Sequence, residues 1–304
     1  MPKPISRSQI ALMAGLGLAV AGCSGETLVV APVEFDGSVT SADYIGETFP
    51  VAFLVGEEGD PTGSTSAGQG SITYNSASSI TLRLPNGRTA SLTRTGTSGL
   101  GTNFRGTLNG ETIDVTVSDF ASTEAFRLIS SADDEISILG GFGFETAVGD
   151  RPASATYSTA GAIFITAENV GPFLPAAGSG DLSANFTGGT ITGTLLDADP
   201  VSVAVAGAEL VPDDLTLVFE LENGVITPSG FRGDVGVTGE LVVDGAGAPV
   251  VLGTNVTGDQ ASGQFYGDAA EVVSGTFGTQ VGLSDSGGAL VDLDVDGFFS
   301  GGAD

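Results

Sequence analysis

The 304-residue chain predicts an all-β protein: a β-rich, handle-like N-terminal domain followed by an eight-stranded antiparallel up-and-down β-barrel. Three observations carry that prediction. Hydrophobic residues make up 41% of the chain and alternate with polar ones at period two. Turn-forming Asn-Gly and Gly-Gly pairs punctuate the alternation at short intervals. Glycine is frequent, at 48 residues, about twice its usual share of about 7%, as the bends and bulges of small barrels require.

The N-terminus reads as an export signal over residues 1–22. Lys3 and Arg7 precede an apolar run, Ile10 to Val20. The run is too short to cross a bilayer as a helix, which takes about 20 residues, but it fits a secretory core of about 7–15. Val20-Ala21-Gly22-Cys23 follows and resembles the lipobox of bacterial lipoproteins, in which the cysteine is acylated (a palmitate-class anchor) and becomes the new N-terminus. Cys23 is the single cysteine, so an exported chain has no disulfide to make with it. Two or three acyl chains anchor stably where one is marginal. The resemblance implies sorting to the outer membrane, because Ser24 rather than Asp follows the cysteine. The alternative is an ordinary signal peptide with an incidental cysteine. Whether the anchored protein faces outward or into the periplasm is left open by these residues.

The handle-like domain spans residues 23–150. Ile80-Thr81-Leu82-Arg83-Leu84 and Ala90-Ser91-Leu92-Thr93-Arg94 flank Pro85-Asn86-Gly87 and read as a hairpin. Phe104 to Leu108 and Ile113 to Val117 flank Asn109-Gly110 and read as a second. Phe126 to Ile129 and Ile136 to Leu139 read as a third. The stretch Gly56 to Gly70 is rich in Gly, Ser and Thr and is expected to be a long loop. The pattern breaks at Ala147 to Pro152, where the domain boundary is placed.

The barrel domain spans residues 151–304. Ala155-Thr156-Tyr157-Ser158 leads to Gly161 to Ile165. Leu182 to Phe186 turns at Gly188-Gly189 into Thr190 to Leu195. Leu215 to Leu221 is expected to turn at Glu222-Asn223-Gly224. Val237 to Val243 turns at Asp244-Gly245, strands at Phe265 and Phe277 follow, and Val291 to Phe299 is the last. Closing these into a barrel removes the edges that invite aggregation.

Composition excludes several chemistries. With Lys3 gone, the exported chain has no His, Lys or Trp, and every remaining basic residue is an arginine. There is then no Ser-His-Asp triad, no phosphate-loop lysine and no Schiff base. Ordinary zinc, copper and haem-histidine sites are excluded too, so no cofactor is expected. Carboxylate chemistry survives: a glycosidase pair or a calcium site. The net charge of −28 repels nucleic acid and anionic headgroups; it reads as a solubility device, with a cationic partner as the sharper alternative.

The barrel domain resembles the transferrin-binding protein B family of surface lipoproteins. Four places carry the resemblance: Gly141-Phe142-Gly143-Phe144-Glu145-Thr146 ahead of Arg151-Pro152; Leu182 to Leu195; Phe231-Arg232-Gly233; and Gly263 to Gly278, GQFYGDAAEVVSGTFG. The chain matches one lobe of such proteins, a handle-like part plus a barrel. Ser154 stands where the family often has Gly. The resemblance implies a lipid-anchored, cell-surface binding protein that captures a host or environmental protein or a nutrient carrier, and not an enzyme. It transfers no ligand-contact residue. A structural envelope lipoprotein without a dedicated ligand is the alternative, with a carboxylate-based carbohydrate-active enzyme behind it.

Two local readings complete the set. Asp292-Leu293-Asp294-Val295-Asp296-Gly297 opens like a calcium loop, but Ala303 stands where the closing Glu belongs. In a strand, Asp292, Asp294 and Asp296 share one face and should lie in water. In the string from Gly263, Phe265 and Phe277 are expected inside the barrel, with Tyr266 as a packing aromatic near its rim.

Overall fold

The computed structural model describes residues 31–35, 39–57, 64–120, 123–132, 136–167, 174–198, 203–205, 208–210, 214–242, 250–253, 260–284 and 290–304. Eight strands form a first barrel: β1 (Thr48–Glu57), β2 (Ser64–Ser76), β3 (Ser79–Arg83), β4 (Thr89–Ser98), β5 (Gly101–Leu108), β6 (Glu111–Phe120), β7 (Thr123–Ala132) and β8 (Ile136–Gly143). Each pairs antiparallel with the next, and β1 pairs back onto β8 (Leu54 opposite Leu139), closing the sheet. The N-terminal part is therefore itself a closed barrel, not merely a β-rich handle. Local alternation could not reveal that closure, because the closing pair joins residues from the two ends of the domain.

Alternation fills the interior. Ile113, Val115 and Val117 point inward from β6 and meet Phe53, Ile72, Leu82 and Phe104. Asn109 and Gly110 take positive φ, 55° and 94°, as the two-residue turn between β5 and β6 demands. The stretch expected as a loop corrects itself at both ends: β1 runs through Glu57, and β2 begins at Ser64. Its small residues serve close approach. A Cβ on Gly70 would lie 2.2 Å from the Arg83 carbonyl oxygen, and Ala67 lies under a second layer of side chains.

A 3-10 turn, Val148–Asp150, leads into the second barrel. Its strands are β9 (Ser154–Ala167), β10 (Leu174–Asn185), β11 (Thr190–Ala198), β14 (Asp214–Thr227), β15 (Gly230–Val242), β16 (Val250–Gly253), β17 (Gln260–Tyr266), β18 (Val272–Ser284) and β19 (Leu290–Ala303). The short pair β12 (Val203–Val205) and β13 (Ala208–Leu210) forms a separate hairpin. The β14–β15 pairing closes the ring, and β16 and β17 together fill the one position between β15 and β18, so the barrel has eight staves. Glu222-Asn223-Gly224 is not a turn. It is a bulge within β14, with Asn223 at φ 50° and its amide donating to Asp234 Oδ2 at 3.0 Å. The reversal comes instead between Thr227 and Gly230.

Both interiors are filled by side chains. Phe219, Phe231, Phe265, Phe277 and Phe299 are buried in the second core, as the string from Gly263 predicts for its two phenylalanines. The barrels meet side by side. Ala52 and Leu54 of β1 pack on Phe164 of β9 and Phe298 of β19, and Phe126 of β7 packs on Tyr266 and Val272. The Gly141 backbone lies close against a side chain of the second barrel: a Cβ there would be 2.7 Å from Ser274 Oγ.

The second barrel has unequal ends. At the end where the chain enters, β10–β11, β14–β15 and β17–β18 are joined by residues 186–189, 228–229 and 267–271. At the far end the links are longer: residues 168–173 join β9 to β10, and 199–213, which include the β12–β13 hairpin, join β11 to β14.

Candidate functional site

The string from Gly263 builds the junction between the barrels. Phe265 points inward against Phe186, Phe231 and Tyr157, with ring centroids 4.8, 5.5 and 6.1 Å away. Tyr266 points outward, fully buried, 4.7 Å from the Phe126 ring of the first barrel. It is a packing aromatic, and what it packs against is the neighbouring barrel. Next comes the 3-10 excursion Asp268–Ala270. Ala269 and Ala270 sit at φ 53° and 60°, where an alanine is strained. The Tyr157 hydroxyl holds the excursion by donating to the Ala270 carbonyl at 2.9 Å.

The segment Phe144 to Thr146 is the middle of a three-part ladder. On one side Phe35 N–H donates to the Glu145 carbonyl at 2.8 Å, and Glu145 N–H donates to Val33 at 2.7 Å. On the other, Thr146 N–H donates to Phe265 at 2.9 Å and Gly267 N–H donates to Phe144 at 3.0 Å. The Thr146 hydroxyl adds a bond to the Gly267 carbonyl at 2.7 Å. Three distant stretches of chain thus meet at Glu145.

The Glu145 side chain is 5% exposed, and its Oε1 has no hydrogen-bond partner among the described residues. Burial pushes its carboxyl up to about 8; Arg151 opposes that and Glu34 adds to it. Arg151 is committed elsewhere. It donates to the Thr227 and Pro228 carbonyls at 2.9 and 2.8 Å and lies 5.4 Å from the Phe265 ring centroid. No sequence motif singles out Glu145 or Arg151 as a pair, although both fall in stretches that carry the family resemblance.

Asp294 and Asp296 alternate along β19 with Leu293 and Val295, which are buried on the other face; the side chain of Asp292 lies outside the described residues. Asp294 is exposed and accepts from the Gln280 amide at 2.7 Å. Asp296 departs from the expectation of full exposure. Its face of β19 is covered by the first barrel, where the Thr65 hydroxyl donates to Oδ2 at 2.7 Å. Burial raises its pKa, against the Thr65 bond and the backbone N–H of Ala67. Among the described residues no group of three or more His, Cys, Asp or Glu is placed to hold a metal ion. Cys23 lies outside the described residues.

An open groove runs over the near end of the second barrel. Ser154, Thr156, Ser183, Asn185, Thr190 and Thr192 line it, and Asp304 is the one acidic residue among the described residues that line it. Glycoside hydrolysis takes a pair of carboxylates across the scissile bond, which this groove does not offer.

The fold and junction define a class, the all-β proteins built of two side-by-side closed barrels. Among solved structures, the chain is similar to transferrin binding protein B from Haemophilus parasuis, a double mutant, at TM-score 0.43 and 16% identity over 83% of this chain and 45% of that one. It is similar to the isotype 1 protein of Neisseria meningitidis at TM-score 0.41 and 13% identity, over 84% and 43%. The chain thus spans less than half the length of these structures. No protein-family model and no curated protein sequence matches it.

Proposed function

We propose that this protein is an outer-membrane lipoprotein, anchored through acylated Cys23 and displayed at the cell surface, that captures a protein or a protein-borne nutrient without catalysis. The observation that carries this reading is that, among the described residues, the interior of each barrel is filled by its own side chains. Recognition then belongs to exterior surfaces and connections, the usual place for binding determinants on a rigid β scaffold. The described chain enters at Val33–Phe35, beside the junction, at the end of the second barrel with the short turns. Cys23 precedes Val33 by ten residues, a lead of about 35 Å when fully extended. An anchor on that side leaves the far end of the second barrel turned away from the membrane. The net charge of −28 favours a partner with a cationic face, by steering its approach.

Protease treatment of intact cells tests display. Cleavage of the wild-type protein, with loss of membrane association in a Cys23→Ser variant, is the expected result. Full protection of the wild type would refute surface capture and leave a periplasm-facing envelope protein in its place.

A further inference from the structure

Glu145 carries a buried oxygen, Oε1, without a hydrogen-bond partner among the described residues, at the place where three segments are tied together. The N-terminal stretch supplies Glu34, whose backbone bridges to Glu145 in parallel. The turn after the junction supplies Arg151. β17 supplies Tyr266, bridged to Glu145 antiparallel, and β9 supplies Tyr157, which acts on Arg151. Of these, Glu34 repels an ionised Glu145 and Arg151 attracts it. The two terminal nitrogens of the guanidinium are spent on the Thr227 and Pro228 carbonyls, and among the described residues its buried Nε and Glu145 Oε1 are both left without a hydrogen-bond partner.

A neutral carboxyl is tolerable in such a place. A carboxylate is not: no hydrogen bond meets it where it lies, so its charge must reach water or the two segments must shift to bring it onto Arg151. The segment that yields most readily is the thinnest. Val33 to Phe35 is held by two backbone bonds and by the half-buried Val33 and Phe35 side chains against the first core, whereas β17 is woven into a barrel.

We propose that the ladder through Glu145 is a proton-dependent latch: while Glu145 keeps its proton, the N-terminal strand Val33–Phe35 stays docked beside the junction, and loss of the proton releases it. Release frees Val33–Phe35 from the junction, while Tyr44 remains buried in the barrel mouth. If Cys23 is the anchor, the latch sets how far the barrels stand from the membrane; the latch itself does not depend on that reading.

Hydrogen exchange of the full chain, read as protection factors so that the intrinsic pH dependence cancels, tests the latch. Between pH 6.5 and 9.5, protection at the Phe35 and Glu145 amides falls by about tenfold or more, while β1, β9 and β18 keep theirs. Glu145→Gln, which carries no ionisable proton, keeps the strand protected at both pH values. Glu34→Gln, at an exposed position that does not threaten folding, moves the release midpoint to lower pH because a repelling charge is gone. Unchanged wild-type protection overturns the latch, as does equal loss in Glu145→Gln or a midpoint unmoved in Glu34→Gln. Because the readout is local to the ladder, it stands or fails apart from any result on Cys23 or cell-surface display.

Discussion

The guanidinium carbon of Arg127 sits 3.9 Å from the centroid of the Tyr44 ring, and together they plug the entry end of the first barrel. Tyr44 is fully buried, with Phe144 and Phe49 rings at 4.9 and 5.0 Å. Its hydroxyl donates to the Glu124 carbonyl at 2.7 Å. Arg127 donates to Ser41 Oγ at 3.0 Å, and its Nε lies 3.1 Å from Asp119, a contact of charge without hydrogen-bond alignment. Tyr44→Ala removes the plug and is expected to cost about 3–5 kcal/mol in urea unfolding. Tyr44→Phe, which loses one bond, costs about 1–2 kcal/mol. Equal costs would show that the ring's packing is not what holds the mouth shut.

Phe277 and Gly297 form a matched pair inside the second barrel. A Cβ on Gly297 would lie 2.2 Å from the Phe277 ring. Phe277→Ala should cost about 3–5 kcal/mol, and Gly297→Ala should destabilise by overpacking. The double variant should be less damaged than the sum, because the new methyl enters the vacated space. A double-mutant cycle measures this; additivity would contradict the packing described.

The seam between the barrels depends on Phe298, which is 1% exposed against Ala52, Leu54 and Phe164. Phe298→Asp places an unpaired charge there. Differential calorimetry should show the two barrels separating into distinct transitions, with the second barrel losing more stability than the first. A single transition shifted as a whole would argue against an independent seam.

Glu145 imposes a pH dependence on stability. Its carboxyl is raised from an ordinary 4.5 to about 8 by burial, so the folded chain holds this proton more tightly than the unfolded chain does. The contribution is therefore full below pH 4.5, declines as pH rises, and is gone once pH passes about 8. At about 1.4 kcal/mol per pH unit, the span amounts to about 5 kcal/mol. Denaturant titrations should slope downward from pH 5 to 8 in the wild type and flatten in Glu145→Gln. Asp296 pulls in the same direction.

Calorimetry with calcium should show no heat of binding at Asp292, Asp294 and Asp296. Asp294 and Asp296 face different partners, Gln280 and Thr65. A saturable heat abolished by Asp294→Asn would reverse that conclusion.

Much of the strand plan is legible in the residues. Asn109-Gly110 announces its hairpin because both positions tolerate positive φ. Phe265 and Phe277 announce the second core because each lies on the apolar side of a period-two pattern. The same local logic misleads at Glu222-Asn223-Gly224, where turn chemistry serves a bulge, and at Ser64 to Gly70, where small residues permit close packing rather than a loop. Glu145 looks like any charged residue in a connecting segment until Val33 and Phe265 are brought to either side of it.

The sequence by itself determined that the chain is all-β, acidic and without histidine, which residues alternate, and where most hairpins reverse. Those are properties of neighbours along the chain. Only the tertiary structure decided that the first domain closes through β1 and β8, that Tyr266, Asp296 and Phe298 are covered by the other barrel, and that Glu145 is buried. The reason is physical. Alternation assigns each side chain to one of two faces, but what lies against the outer face depends on surfaces brought together from distant parts of the chain.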